Sequence, residues 1–99
     1  MIDRATVERI KDAANIVEVV SEFVTLRRSG ANYKGLCPFH NEKTPSFYVY
    51  PDTQSFYCFG CGAGGDAVTF TKKINSIDYV EAVKLLAQRA GMPEPTEDD

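Results

Sequence analysis

The 99-residue sequence contains few of the residues that bind soft metals or form disulfides, with only three cysteines and one histidine. It also has no tryptophan. An odd cysteine count cannot be fully paired, and the start of the chain carries no apolar signal segment. We therefore expect that the chain is not a secreted domain held together by disulfides. No apolar run approaches the roughly 20 residues needed to span a bilayer. We expect one small cytoplasmic domain without a membrane role.

The four soft ligands nevertheless fall into two pairs with the same internal spacing. These pairs are Cys37-Pro-Phe-His40 and Cys58-Phe-Gly-Cys61, and 17 residues separate them. A two-residue gap lets both ligands of a pair come from one tight turn, and Cys₃His is a standard tetrahedral ligand set for zinc. The sequence therefore predicts that these four residues bind one structural Zn²⁺.

Other roles for the cysteines fit this pattern less well. A redox pair of the thioredoxin type begins a helix, whereas Cys58 and Cys61 end a strand-like run and precede a glycine-rich reversal at residues 62–65. A nucleophilic cysteine needs a histidine to activate it, and His40 already belongs to the ligand set. Four protein ligands also leave no position for a catalytic water. We therefore expect no catalytic residues in this segment.

The net charge of −3 is unevenly distributed along the chain. We divide the sequence into a zinc-binding domain at residues 1–91 and an acidic, proline-containing linker or tail at residues 92–99. Without the four acidic residues of that tail, the chain has 10 acidic and 11 basic residues. The basic residues of the middle of the chain are Arg27, Arg28, Lys34 and Lys43. This locally basic region permits a polyanionic partner.

The hydrophobic pattern predicts an α+β fold. Helical spacing indicates an N-terminal helix, a second helix capped by Asn15 with Phe23 on its apolar face, and two C-terminal helices capped by Asp66 and Ser76. The strand-like runs are residues 24–28, 32–36, 46–50 and 55–58. We expect a zinc ribbon on an antiparallel sheet of about four to five strands, flanked by these helices, with the metal at one edge.

Alternating side chains predict that the sheet has one buried and one open face. Phe47 and Val49 should face the helices, which leaves Tyr48, Tyr50 and Tyr57 on the open face. Single-stranded nucleic acids bind surfaces that combine cations with stacking aromatic rings. The tyrosines, together with the four basic residues named above, are therefore candidate DNA contacts. Ordinary strand packing for the tyrosines and solvation for the cations remain the alternatives.

Two segments carry a family resemblance: GLCPFHNEKTPSF at residues 35–47 and FYCFGCGAGG at residues 56–65. They resemble the N-terminal zinc-binding domain of bacterial DNA primases of the DnaG type, and the similarity runs through nearly the whole chain. The resemblance implies a module that engages single-stranded template DNA and helps choose where RNA primers start. It also implies that primer synthesis occurs in a separate, downstream RNA polymerase domain of the Toprim type, with the replicative helicase nearby.

A zinc ribbon that binds another protein, as in transcription factors or polymerase subunits, is the alternative function. This interpretation keeps the fold and the metal but assigns the open sheet face to a protein partner. The basic, tyrosine-lined character of that face favours DNA. The two functions are compatible, because the resemblance also implies docking on the polymerase domain.

Overall fold

The structure, a computed structural model, describes residues 2–93 and residue 95. Residues 94 and 96–99 of the predicted tail lie outside the described residues. Among the described residues, no helix has the length and apolar character needed to cross a membrane. The elements in chain order are α1 (Arg4–Ala13), α2 (Ile16–Ser21), β1 (Arg27–Ser29), β2 (Asn32–Gly35), β3 (Phe47–Tyr50), β4 (Ser55–Cys58), β5 (Gly64–Asp66), α3 (Ala67–Asn75) and α4 (Tyr79–Arg89).

The five strands form one antiparallel sheet in chain order, β1-β2-β3-β4-β5. On β3 and β4, the side chains of Phe47, Val49, Phe56 and Cys58 are almost completely buried. The residues between them on each strand are more exposed, so the predicted alternation of the two faces is confirmed. The α+β zinc-ribbon architecture is likewise confirmed, with five strands in the sheet.

Helices cover the buried face of the sheet. The ring of Phe70 on α3 lies 6.1 Å from that of Phe47 and 5.6 Å from that of Phe56, measured between centroids. Val83 and Leu86 of α4 are buried in the same core. Burial of large apolar side chains of this kind is the main stabilising term in a domain of this size.

Side-chain caps begin the helices where the chain changes direction. The Asn15 carboxamide accepts a hydrogen bond from the backbone N–H of Val17 at 2.9 Å, as predicted for the start of α2. The Asp66 carboxylate accepts one from the N–H of Thr69 at 2.9 Å at the start of α3. Asp66 also lies 3.0 Å from the ammonium of Lys11, so one carboxylate caps α3 and connects it to α1.

Three expectations about local structure are wrong. The reversal at residues 62–65 continues into β5, which the sequence hides because Gly64 and Gly65 lack the side chains that favour strands. Ser76 adopts a left-handed conformation, with φ of 54°, and ends α3, while Asp78 caps α4. Phe23 follows α2 instead of lying within it, and its side chain is about half exposed.

Candidate metal centre and open sheet face

The four predicted ligands meet at one end of the sheet. Cys37 follows β2 and Cys58 ends β4, and the register of β2, β3 and β4 brings these two strand ends side by side. His40 and Cys61 come from the turns that follow β2 and β4. The ligand atoms of all four residues lie within 4.8 Å of one another, which is close enough for a single ion.

Two distances within this cluster are close to those expected for tetrahedral zinc. The Cys37 and Cys61 sulfurs are 3.8 Å apart, and His40 Nε2 lies 3.3 Å from the Cys58 sulfur. Tetrahedral zinc with ordinary bond lengths places two thiolates about 3.8 Å apart, and a thiolate and an imidazole nitrogen about 3.6 Å apart. The donor set therefore matches a closed, structural Cys₃His site.

The histidine ring is oriented by the backbone beside it. His40 Nδ1 lies 3.2 Å from the carbonyl oxygen of Asn41, so an Nδ1–H can donate to that oxygen. This tautomer leaves the lone pair of Nε2 directed at the cysteines, which is the usual way a protein prepares a histidine for a metal. His40 would therefore hold zinc through Nε2.

The thiols differ in how readily they lose a proton. Burial raises the pKa of the Cys37 thiol to about 12. Burial also acts to raise the pKa of Cys58, but the polar contacts of its sulfur with the Ser46 hydroxyl and His40 Nε2, together with two backbone N–H groups, outweigh burial and lower that pKa to about 6. Metal ligands must be deprotonated, so zinc binding displaces a proton from Cys37.

Gly60 allows the second knuckle to approach the histidine. A Cβ at this position would lie 2.9 Å from His40 Cε1 and 2.9 Å from the Ser46 hydroxyl oxygen, closer than real Cβ contacts allow. The backbone N–H groups of Gly60 and Cys61 also favour the Cys58 thiolate.

Glu42 is a site residue that the sequence did not single out. Its Oε2 accepts hydrogen bonds from the N–H groups of Cys37 at 2.8 Å and Ser46 at 3.2 Å. Its Oε1 accepts from the Ser46 hydroxyl and lies 3.3 Å from His40 Nε2. The Ser46 hydroxyl, followed by the Cys37 N–H, holds the pKa of Glu42 below its usual value. The available signal was an acidic residue two positions after the histidine, in an otherwise basic region.

The open sheet face carries a cluster of aromatic rings, which we call the aromatic patch: Tyr48, Tyr50, Tyr57 and Phe59. Tyr48 and Tyr57 are direct cross-strand partners, and the rings of Tyr48 and Tyr50 are nearly parallel, with centroids 6.4 Å apart. Phe59, from the second knuckle, contacts both Tyr48 and Tyr57 and is 67% exposed. Phe59 was not among the residues predicted to contact DNA. The available signal was its position inside a knuckle, where no neighbouring strand covers an apolar side chain.

Cations lie beside the aromatic patch in the same cross-strand row. Arg27 pairs with Lys34, Lys34 with Tyr48, and Tyr48 with Tyr57. Direct cross-strand partners lie on the same face of a sheet, so this row runs from basic to aromatic across four strands. Arg27, Lys34 and Lys43 also line one groove, which we call the basic groove, of about 470 Å³.

Arg28 is the one predicted DNA contact that the structure separates from the others. It pairs with Tyr33, on the opposite face of the sheet from Arg27, and its guanidinium lies 5.5 Å from the centre of the Tyr33 ring. Its Nε–H donates to the carbonyl oxygen of Gly30 at 3.0 Å. The structure therefore groups three of the four predicted cations with the three predicted tyrosines.

Comparisons with known proteins agree with this geometry. A family model described as CHC2 zinc finger matches residues 2–99. The DNA primase of Geobacillus stearothermophilus is 56% identical over 91 residues, which is 92% of this chain. The DNA primase of Thermotoga maritima is 50% identical over 93% of this chain. The chain spans only 15% and 16% of the length of these two relatives.

A solved structure shares the fold. The crystal structure of the zinc-binding and RNA polymerase domains of the Aquifex aeolicus primase matches with a TM-score of 0.85 and 44% identity. The match covers 94% of this chain and 22% of the other. With its four ligands gathered for one zinc ion and its sequence matched along nearly its full length, this chain belongs to the CHC2 zinc finger family, as a zinc-binding domain of the bacterial DNA primase type.

Proposed function

We propose that this chain engages single-stranded template DNA and helps select the start site for RNA primers. The proposal rests on the row that places Arg27 and Lys34 beside Tyr48 and Tyr57 on the open face. Sequence-tolerant recognition of a single strand needs cations along the backbone path and flat rings for the bases. This face supplies both, side by side, on rigid strands. The similarity to DNA primases supports the same assignment.

The proposed binding mode assigns a role to each part of the face. Phosphates lie in the basic groove against Arg27, Lys34 and Lys43, while bases stack on the aromatic patch. Arg28, on the edge strand but facing away, adds only general positive potential. Non-specific contact through a few cations gives a Kd of roughly 10⁻⁴ to 10⁻⁶ M at physiological salt. Each stacking ring adds on the order of 1–3 kcal/mol.

Arg27 and Arg28 form a matched pair for testing this proposal, because they are adjacent and identical but face opposite ways. Fluorescence anisotropy with short single-stranded DNAs at several salt concentrations should show weaker binding and a smaller salt slope for Arg27→Ala. Arg28→Ala should have a clearly smaller effect. Tyr48→Ala should weaken binding with the salt slope nearly unchanged, because the lost contact is uncharged. Equal, negligible effects of all three substitutions in zinc-loaded protein would contradict DNA binding at this face.

We also propose that the chain has no polymerase activity of its own. Its zinc ligand set is closed, and among the described residues this set is the only group of three or more potential metal-binding side chains. Primer synthesis is assigned to an RNA polymerase domain of the Toprim type in the longer protein, working in the cytoplasm near the replicative helicase. The chain alone, given template, Mg²⁺ and ribonucleotides, should make no primer. Primers made by the chain alone would contradict this assignment.

A protein-binding role is the second candidate, and a feature on the other side of the molecule favours it. Phe23 and Leu85 are exposed there and line a groove with Val19, Leu86 and the Glu22–Arg89 ion pair. Exposed apolar side chains grouped in this way are typical of protein contacts. If this groove contacts the polymerase domain, Leu85→Ser should weaken association with that domain supplied as a separate chain and leave DNA binding unchanged.

A further inference from the structure

Glu42 lies at the point where the zinc site meets the basic groove. It follows His40 by two residues and immediately precedes Lys43, which lines the groove. Although it belongs to a surface turn, only 11% of its side chain is exposed. A carboxylate that is this well covered must have its oxygens satisfied by hydrogen-bond donors.

The donors come from both ends of one segment of chain. The N–H of Cys37 donates to Glu42 at 2.8 Å, and the N–H of Ser46 donates at 3.2 Å. The Ser46 hydroxyl donates to the other carboxylate oxygen. Glu42 thus closes the segment 37–46, which contains the whole first knuckle and the turn that follows it.

Ser46 extends these contacts to the second knuckle. Its hydroxyl oxygen lies 3.5 Å from the Cys58 sulfur, and its carbonyl accepts the N–H of Phe59 at 2.9 Å. Glu42 therefore contacts the backbone N–H of Cys37 and the ring of His40 directly, and it reaches a third ligand, Cys58, through Ser46. Groups in this position usually set how firmly a metal is held.

We propose that Glu42 is a positioning residue that couples the zinc site to the nucleic-acid face. The turn that it holds presents Lys43 and Pro45 to the basic groove, and Pro45 also lines the depression beside Tyr48 and Tyr50. The zinc half of this inference stands on the hydrogen bonds alone, whereas the nucleic-acid half rests on the function proposed above.

When Glu42 is replaced, the lost negative charge and the lost positioning of the turn have opposite expected effects on DNA affinity. Glu42→Gln removes a negative charge beside Lys43, and electrostatics alone would then strengthen binding to a polyanion. Loss of the positioned turn would weaken binding. Asp52→Asn is the matched control, because it removes an equal charge from the exposed turn after β3, at the end of the sheet opposite the zinc ligands.

The first measurement is zinc retention, followed by competition with a chromogenic chelator. We expect Glu42→Gln to bind zinc about 10- to 100-fold more weakly than the parent, as is typical when a group supporting a metal ligand is lost. Asp52→Asn should match the parent. Ser46→Ala, which removes only the hydroxyl contacts, is the second variant and should weaken zinc binding to a smaller degree. Unchanged zinc retention in both Glu42→Gln and Ser46→Ala would overturn the inference.

The second measurement is binding of single-stranded DNA at saturating zinc. We expect Glu42→Gln to bind about 3- to 10-fold more weakly than the parent, the order of loss expected from a misplaced phosphate contact. Asp52→Asn should bind as well as the parent or slightly better. Equal or tighter binding by Glu42→Gln, with the parent binding normally, would overturn the coupling. Failure of the parent itself to bind DNA would instead contradict the proposed function.

Discussion

The buried face of the sheet and its zinc end share strands β2 to β4 but differ in what holds their side chains in place. On the buried face, Phe47, Phe56 and Phe70 pack together and are almost completely covered. At the zinc end, the ligand Cys61 is exposed and its neighbour Phe59 is 67% exposed. The first region is held by hydrophobic burial, whereas in the turns of the second only Cys37, Phe39 and Ala63 pack in or against the core.

This contrast explains why a chain of this size includes a metal. Small domains bury a limited core, and a structural metal is a common supplement. The core of this domain takes in Cys37, Phe39 and Ala63 at the edges of the turns at residues 37–46 and 59–63, while the remaining residues of these turns lie outside it. Zinc connects these turns to the strand ends. The same turns present Lys43 and Phe59 to the open face, so the metal also shapes the surface proposed to bind DNA.

Removing zinc should destabilise the protein more than any single substitution in the core or at the helix ends. Structural zinc in small modules contributes on the order of 10 kcal/mol of apparent folding free energy. We expect a chelator to lower the thermal transition strongly and to abolish hydrogen-exchange protection at the zinc end before the helices lose theirs. Elemental analysis should give one zinc per chain. A metal-free protein with an unchanged transition would contradict the contrast between the two regions.

Phe70→Ala tests the other side of the comparison. Phe70 is fully buried, and its ring lies within 6.1 Å of the rings of Phe23, Phe39, Phe47 and Phe56. Truncating a buried phenylalanine typically costs about 3–5 kcal/mol. Denaturant unfolding of zinc-loaded protein should show this loss, while the zinc stoichiometry remains one. A Phe70→Ala variant that loses its zinc but keeps the parental free energy of unfolding would contradict the view that burial stabilises one region and zinc the other.

Sequence spacing was sufficient for the metal centre and for the alternation of the sheet. The two ligand pairs use every cysteine and histidine in the chain, so no competing ligand set existed. The alternation of phenylalanine and tyrosine on β3 and β4 is strict, which fixes the buried face. Those features depend on local spacing alone, and the structure brings the corresponding side chains together as expected.

The features that could not be predicted from the sequence depend on contacts between distant segments. Along the chain Glu42 stands out only as an acidic residue near His40 in a basic region, and its role becomes visible when Cys37 and Ser46 meet around it. The face of the sheet on which Arg28 lies depends on the register between β1 and β2, because a shift of one residue would move its side chain to the other face. Strand β5 consists of two glycines and an aspartate, so pairing with β4, not intrinsic propensity, makes it a strand.

Gly60→Ala should perturb the zinc end while leaving the buried face intact. The added methyl group would meet His40 and the Ser46 hydroxyl, so the histidine ligand or the knuckle must shift. Forcing extra atoms into a packed site typically costs about 1–3 kcal/mol. Cobalt substitution should reveal the distortion as a changed d–d spectrum. Gly30→Ala is the control, because its added Cβ would contact nothing within 4 Å and the strain expected from its φ of 64° lies in the turn between β1 and β2, away from the metal. A parental cobalt spectrum for Gly60→Ala would contradict this account of the knuckle.

Asp66 should give the smallest effect, because it lies where α1 and α3 meet and its interactions are partly exposed. Burial acts to raise the pKa of Asp66, but the Thr69 N–H and Lys11 outweigh burial and lower it. A carboxylate with a lowered pKa stabilises the fold above its unfolded pKa of about 3.9, and that contribution disappears as the pH falls through the folded pKa.

Asp66→Ala should therefore cost about 1 kcal/mol at neutral pH, mainly through loss of the α3 cap. Asp66→Asn keeps the cap and removes only the ion pair with Lys11, whose two side chains are 31% and 36% exposed, so it should cost less than about 1 kcal/mol. Denaturant unfolding between pH 7 and pH 3 measures both variants. The difference between Asp66→Asn and the parent should stay constant above the unfolded pKa of about 3.9 and shrink as the pH falls from there toward the lowered folded pKa. A difference that stays constant across this range would show that the charge of Asp66 does not stabilise the junction between the helices.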